Sequence, residues 1–348
     1  MNISVIGTGS FGTSLAVVVD DNSHDTLIYG RNLDVVNEIN ESHTNHKYLK
    51  DVVLKDSITA TNDLEEAVKH ADLLVLAVPV NAMRSVCREI NNINHQYKKK
   101  LMLVHVAKGL ELDTNLLVSD VIVEEIDREY IENLCVLSGP SHAEEVALRQ
   151  PTTVVLASKF GGDIQKIQDA FMNRYFRVYT SEDMIGVEIG GALKNIIALS
   201  IGLLHGLGFG DNTKAATVTR GLQEITRLGT KMGADPLTFL GLTGMGDLIV
   251  TATSMHSRNY RCGIMLSQGM TLEEAQEEMG MVVEGVNTTK AAYTLAQKYN
   301  VEMPITKVLY HYLFHGISQE EAFVQLMMRD KTGETAELRE ILKQKVER

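Results

Sequence analysis

Short apolar runs alternate with longer stretches in which apolar residues recur every three or four positions, and this rhythm holds through the first half of the chain. Short runs suit buried strands and the longer period suits amphipathic helices, so the alternation predicts βαβ units and a parallel sheet. Strands are expected at 3–6, 27–29, 73–78, 101–106 and 134–137, and helices at 13–19, 33–39, 64–69 and 83–90. Asp63, immediately before Leu64, suits an N-cap. A strand at 152–157 and a helix at 163–172 are expected to finish the sheet layer. From about Asp183 the strand pattern stops and helical patterns run on to the C-terminus. The expectation is therefore a doubly wound α/β domain over residues 1–182, followed by an all-α domain over 183–348, with a ligand cleft between them. The most apolar stretch, 196–209, is interrupted by Ser200 and His205 and falls short of the ~18–20 apolar residues of a spanning helix. It reads as a buried helix, with no membrane span. Beyond Arg329, Leu338, Ile341, Leu342 and Val346 keep helical spacing and predict a helix lying on the surface.

Composition narrows the partners. A length of 348 residues supports two domains. A formal net charge of −12 repels nucleic acid and anionic membranes over most of the exterior, so an anionic ligand must be caught by a local cluster of Lys and Arg. The three cysteines, Cys87, Cys135 and Cys262, form no Cys-x-x-Cys pair or zinc half-site, which fits a reducing cytoplasm. Residues 1–6 enter a strand pattern directly, without the basic and apolar regions of an export signal. The pairs His43/His46 and His311/His315 have ligand-like spacing but no acid or Cys nearby to complete a site, so no metal is expected. There is no G-x-S-x-G for a hydrolase nucleophile.

The chemistry begins at Gly7-Thr8-Gly9-Ser10-Phe11-Gly12, a G-x-G-x-x-G between an expected strand and an expected helix. In that context one glycine makes the tight turn, one lets the backbone reach a pyrophosphate, and the third lets helix and strand pack closely. The unpaired amides at the helix start then face the phosphates. An NAD-selective fold of this Rossmann type ends its second strand with an acid. Here Arg31 stands nineteen residues beyond Gly12, where a guanidinium suits a 2′-phosphate. The other reading, an Arg merely solvated at a strand end, stays open.

Lys194 lies in a stretch otherwise built of small and apolar residues, with no acid three or four positions away. Burial would lower its pKa towards neutrality and make it a general acid and base. A stem snorkelling along an apolar surface accounts for the same pattern. A second cluster runs from Gly244 through Asp247 to Ser257, Arg258 and Asn259. Ser257 suits the cap of a new helix, whose first amides and the Arg258 and Asn259 side chains would converge on an anion such as phosphate. An ordinary helix start explains these three residues equally well.

Together the pieces resemble the bacterial-type NAD(P)-dependent glycerol-3-phosphate dehydrogenase family, up to about Arg329. The resemblance is carried by the Gly7 loop and six further ordered blocks: His105 to Glu111, Leu137 to Val146, Gly190 to Asn195, Gly206 to Asn212, Gly244 to Asn259, and Val282 to Val286. It implies that Lys194 donates and accepts the proton, that Lys108 touches substrate and cofactor, and that Asp247 orients Lys194 and the substrate. It further implies substrate binding by Gly139, Ser141, Asn195, Ser257, Arg258 and Asn259. Gly7, Gly9, Ser10, Phe11, Gly12, Arg31 and Ala143 are implied for the cofactor, joined by Arg258, Val282 and Glu284. Phe11 stands where a Trp is common, and Lys50 where a Pro is common. The implied reaction reduces dihydroxyacetone phosphate to sn-glycerol 3-phosphate, a phospholipid precursor, with NADPH or NADH. Arg31 favours NADPH. A cytoplasmic homodimer completes the expectation. Two other readings are a β-hydroxyacid or 6-phosphogluconate-type dehydrogenase, separable by substrate, and a non-catalytic nicotinamide-binding redox sensor. The sensor has no need of Lys108, Lys194 and Asp247 together.

Overall fold

The computed structural model describes residues 1–160, 163–280, 282–331 and 333–334. The expected surface helix through Leu338 and Val346 lies outside the described residues. Contacts divide the chain into two compact units, one of Met1–Ala107 with Leu116–Met184, the other of Lys108–Asn115 with the chain from Ile185 onward.

The first unit carries strands β1 (Asn2–Ile6), β2 (Asp25–Tyr29), β3 (Thr44–Asn45), β4 (Leu49–Val53), β5 (Ile58–Thr61), β6 (Leu73–Leu76), β7 (Leu101–His105), β8 (Ile131–Ser138), β9 (Thr152–Ser158) and β10 (Phe176–Ser181). Its helices are α1 (Ser10–Asp21), α2 (Leu33–Ser42), α3 (Leu64–His70), α4 (Val80–Tyr97), α5 (Val118–Glu125), α6 (Ala143–Ala147) and α7 (Ile164–Phe171). Eight strands form one sheet in the order β10-β9-β8-β7-β6-β1-β2-β5. Starting from β1 the chain winds one way to β2 and β5, then returns to β6 on the other side of β1 and winds outward. The crevice beyond the carboxyl ends of β1 and β6 is thus the switch point at which doubly wound sheets take ligands. The central strands are nearly all apolar because both faces are covered: Leu73 to Leu76 are fully buried, as are Ile3, Val5 and Ile6. Asp63 caps α3, its side chain accepting from the Glu65 amide.

The sheet departs from expectation in three places. It is not closed by the strand at Thr152; β10 adds a further edge strand, paired parallel to β9. The pair β8 and β9 is antiparallel, so β9 and β10 run against the rest. Between β2 and β6 the chain forms β5 and a two-stranded antiparallel hairpin, β3 with β4, neither of which the pattern predicts.

The second unit is helical. It comprises α8 (Met184–Gly206), α9 (Asp211–Lys231), α10 (Asp247–Thr253), α11 (Arg258–Ser267), α12 (Leu272–Met279), α13 (Glu284–Lys298), α14 (Pro304–His315) and α15 (Gln319–Met327). A π-helical turn, Leu242–Gly246, leads into α10. The 23-residue α8 corrects the expected length of the apolar stretch: by length and composition alone it would cross a membrane, yet 94% of its most apolar window is buried inside the protein. Ser200, which interrupts the apolar run, costs little there because its hydroxyl donates to the Ile196 carbonyl 3.1 Å away. Gly190 keeps α8 close to the π-turn, where a Cβ would lie 2.5 Å from the Thr243 carbonyl oxygen. From α9 the buried Glu224 caps the start of α14, accepting from the amides of Ile305 at 2.6 Å and Thr306 at 3.1 Å. Burial pushes that carboxyl up to about 7 against these hydrogen bonds.

Candidate active site

The first unit offers a loop rather than a set of reactive side chains. After β1 the chain turns at Gly7, whose φ of 127° suits glycine, and a Cβ there would lie 2.5 Å from the Ala77 carbonyl oxygen. Gly12 is closed in the same way by the carbonyl of Gly7. Gly9 differs: among the described residues, a Cβ added there meets no atom within 4 Å. Gly9 is also the N-cap of α1, with no side-chain cap, so the first amides of a 12-residue helix lie next to that open backbone. An open glycine flanked by two closed ones is what a pyrophosphate needs in order to approach the helix start.

Around the loop, Ser10 donates through Oγ to the Tyr48 carbonyl at 2.9 Å, and Phe11 packs partly buried against the core. Arg31 is exposed, one residue before Asn32, whose side chain caps α2. Gly139 follows β8 with a φ of 141°, and the Ser141 hydroxyl donates to its carbonyl at 3.0 Å. Ala143 is the first residue of α6. His43 lies 3.6 Å from Asp56, and His46 lies 2.6 Å from Glu38.

In the second unit, side chains from three separate segments meet. Lys108 comes from the 108–115 segment, Lys194 from the middle of α8, and Asp247 and Thr251 from successive turns of α10. The Lys194 Nζ donates to Asp247 Oδ1 at 2.5 Å and to Thr251 Oγ1 at 2.7 Å. The Lys108 Nζ donates to Asp247 Oδ2 at 2.8 Å. One carboxylate therefore bridges two amines. Asn195, beside Lys194 in sequence, donates to the Lys108 carbonyl at 3.3 Å. Lys194 is 5% exposed and Asp247 1%. Burial, reinforced by the neighbouring Lys108 charge, pulls the Lys194 amine down to about 7, with Asp247 opposing. The absent helix partner is thus supplied across space, and the snorkelling reading of Lys194 fails because its head is buried.

A second group assembles beside this one. Ser257 caps α11, its hydroxyl accepting from the Tyr260 amide. Arg258 is exposed and donates to the Val282 carbonyl at 3.3 Å. The buried Asn259 accepts through Oδ1 from the Gly285 amide at 2.8 Å, just after Glu284 begins α13. A Cβ on Gly285 would lie 2.7 Å from the Asn195 carbonyl oxygen, so this group borders the Lys194 centre. Two participants escaped the sequence reading. Thr251 touches Lys194 and could have been found by its spacing, four residues after Asp247 on a helix. Asn45, buried against the glycine loop, lies in a hairpin that no periodic pattern announced.

Comparison with known proteins gives the same family for both halves of the chain. Residues 2–161 match the family model for the N-terminus of NAD-dependent glycerol-3-phosphate dehydrogenase, and residues 183–324 match the model for its C-terminus. A curated relative from Macrococcus caseolyticus, glycerol-3-phosphate dehydrogenase (NAD(P)+), is 57% identical over 334 residues, covering 96% of this chain and all of the relative. The protein of the same name from Bacillus subtilis is 53% identical, over 97% of this chain and 96% of its own length. Among solved structures, glycerol-3-phosphate dehydrogenase from Coxiella burnetii superposes with a TM-score of 0.88 at 33% identity, covering 94% of this chain and 98% of that one.

Proposed function

The chain belongs to the NAD-dependent glycerol-3-phosphate dehydrogenase family, and on that premise we propose that it reduces dihydroxyacetone phosphate to sn-glycerol 3-phosphate with NAD(P)H, supplying the backbone of glycerophospholipids. The observation that carries the chemistry is the buried Lys194, held by Asp247 and Thr251 with its pKa near 7.

The cofactor fits the loop: Gly9 leaves the backbone approachable, and the first amides of α1 would hold the pyrophosphate, with Ser10, Phe11, Arg31 and Ala143 completing its shell. Lys108, Arg258, Val282 and Glu284 are proposed to reach it as well. When bound, the reduced nicotinamide supplies the hydride. Reduction of a ketone also adds one proton to the carbonyl oxygen, and Lys194 as an ammonium gives that proton from Nζ, leaving a neutral amine. Asp247 holds Nζ in place, and Lys108, on the other oxygen of the same carboxylate, adds positive charge where the oxygen turns negative. Ser257, Arg258 and Asn259 at the start of α11 are assigned to the phosphate, with Gly139, Ser141 and Asn195 as further substrate contacts. Binding energy from the phosphate then serves to position the carbonyl. A cytoplasmic homodimer completes the reading. Three buried, unpaired cysteines support the compartment, and Leu237 and Leu240, each 64% exposed, are apolar surface of the kind a subunit interface covers.

The test follows NAD(P)H oxidation at the nicotinamide absorbance with dihydroxyacetone phosphate, with unphosphorylated dihydroxyacetone alongside. Turnover should require the phosphate, and Arg258→Ala should weaken substrate binding by about 1.5–3 kcal/mol, the value of a charge-assisted hydrogen bond. Equal use of both ketones, or unchanged binding in the variant, would overturn the phosphate assignment.

A further inference from the structure

The β3–β4 hairpin touches the glycine loop at two points. Asn45, 1% exposed, donates through Nδ2 to the Thr8 carbonyl and to Thr13 Oγ1, each at 2.9 Å. Three residues further, the Tyr48 carbonyl accepts from Ser10 Oγ at 2.9 Å. Thr8 lies in the turn after β1, and Ser10 and Thr13 lie in the first turn of α1, so the hairpin grips that junction from outside the βαβ unit. The orientation of the Asn45 amide is determined, because reversing it would set two carbonyl oxygens against each other. The same hairpin is tied to α2: Glu38 Oε1 accepts from Thr44 Oγ1 at 2.9 Å and from the His46 amide at 2.8 Å. Since α2 starts just after Arg31, one strap links the turn behind the first strand to the helix behind the second.

A loop whose glycines leave it conformationally permissive loses entropy when a ligand fixes it. Contacts that fix it beforehand lower that cost. The Thr8 carbonyl accepts from Asn45 Nδ2 at 2.9 Å and, at a longer 3.3 Å, from Thr13 Oγ1, so Asn45 holds both the carbonyl and the hydroxyl that reaches it.

We propose that Asn45 is a positioning residue for the nicotinamide cofactor, holding the Gly7–Gly12 turn in the shape that presents the first amides of α1. The inference rests on the reading of that turn as the dinucleotide loop. Because Asn45 grips the loop backbone rather than a ribose group, its effect falls equally on NADH and NADPH.

The test titrates the full chain with NADH and with NADPH by fluorescence, and measures steady-state kinetics beside it. Asn45→Ala should raise both dissociation constants about tenfold, the order expected when two neutral hydrogen bonds that pre-order a loop are lost. The loss in kcat/KM should be carried by the cofactor KM, with the KM for dihydroxyacetone phosphate unmoved. Should Asn45→Ala not fold, the near-isosteric Thr13→Val, which removes one of the two acceptors of Asn45 and the 3.3 Å hydrogen bond from Thr13 Oγ1 to the Thr8 carbonyl, should raise both constants about threefold. Gly9→Val serves as the separate check on the premise: its backbone, at φ −66° and ψ 169°, accepts a side chain, and among the described residues its Cβ meets no atom within 4 Å. If Gly9→Val leaves cofactor binding intact, the loop reading fails. If Gly9→Val abolishes binding while folded Asn45→Ala stays within twofold of the parent for both cofactors, only the role of Asn45 is overturned.

Discussion

Gly7, Gly9 and Gly12 fall within six consecutive residues behind one strand, whereas Lys108, Lys194, Asp247 and Thr251 come from three segments that only the fold brings into contact. The first group is proposed to act through backbone: peptide amides at the start of a helix, and a glycine that leaves room for a ligand to reach them. The second acts through side chains taken out of water, where removing solvent from an amine moves its pKa by units. Binding a dinucleotide asks for fixed dipoles that the ligand can approach, here the unpaired amides at the start of a helix. Moving a proton asks for a group that changes charge near neutral pH, and burial beside a compensating carboxylate is how the helical unit makes one from a lysine. The two units should therefore fail differently, one through cofactor affinity and the other through turnover.

The largest expected effect falls on the helical unit. Lys194→Ala removes the proposed proton donor and should lower kcat roughly 10²–10⁴-fold, the usual worth of general acid catalysis, while NADH still binds. Asp247 keeps Lys108 as a partner in this variant, so its carboxylate is not stranded. Turnover within a few-fold of the parent, in a variant whose circular dichroism matches it, would remove the contrast between the units altogether.

Next in size is the pH dependence, about tenfold per pH unit on the falling limb. With its pKa pulled down to about 7, Lys194 is an ammonium below that value and an amine above it. Reduction needs the ammonium, so kcat/KM for dihydroxyacetone phosphate should be level below pH 7 and fall above it. Oxidation of sn-glycerol 3-phosphate needs the amine and should rise through the same pH. Glu224, pushed up to about 7, titrates in the same window from a different place. Glu224→Gln must therefore leave both limbs where they are. If it moves them, the profile reports the cap of α14 and not the proton donor. In stability the two groups have opposite signs. The Lys194 contribution is present above its unfolded pKa and lost as pH falls through 7, whereas that of Glu224 is present below its unfolded pKa and lost as pH rises through 7.

The same contrast explains what could be read before the structure. Strands β1, β2, β6 and β7 are interior and mostly buried, so each appears as a largely apolar run despite buried polar residues such as Ser4, Thr26 and His105, and the glycine motif between β1 and α1 is contiguous. The strands that escaped, β5 and β10, are the two edges of the sheet. In β10, Arg177, Tyr179 and Thr180 face water and dilute the pattern. In the hairpin that carries Asn45, β3 has two residues and β4 exposes Lys50, Asp51 and Val53, so no apolar run shows. In the helical unit Lys194 stood out as a charge in an apolar helix, but its partners lie 53 residues away or more. Only the resemblance to a family connected them beforehand, and it passed over Thr251.

The smallest effect concerns the edge of the nucleotide-binding unit, where a side chain and not the backbone is proposed to recognise the cofactor. Arg31 is exposed at the end of β2, next to the cap of α2, and no acid occupies that strand end to repel a 2′-phosphate. A guanidinium there can hold a phosphate through charge-assisted hydrogen bonds, but exposure to water and salt weakens the contact. NADPH should therefore bind more tightly than NADH by about 1 kcal/mol, roughly fivefold, rather than the several kcal/mol of a buried pair. Raising the ionic strength should shrink that margin, since the Debye length falls to roughly 3 Å at 1 M salt. Arg31→Ala should erase the margin and leave NADH nearly unchanged, because Arg31 is assigned to the 2′-phosphate and the loop amides that take the pyrophosphate are untouched. The measurement is kcat/KM for both cofactors in parent and variant at low and high salt. Equal use of the two cofactors by the parent would make Arg31 a solvated strand-end residue and leave the nucleotide-binding unit with backbone recognition alone.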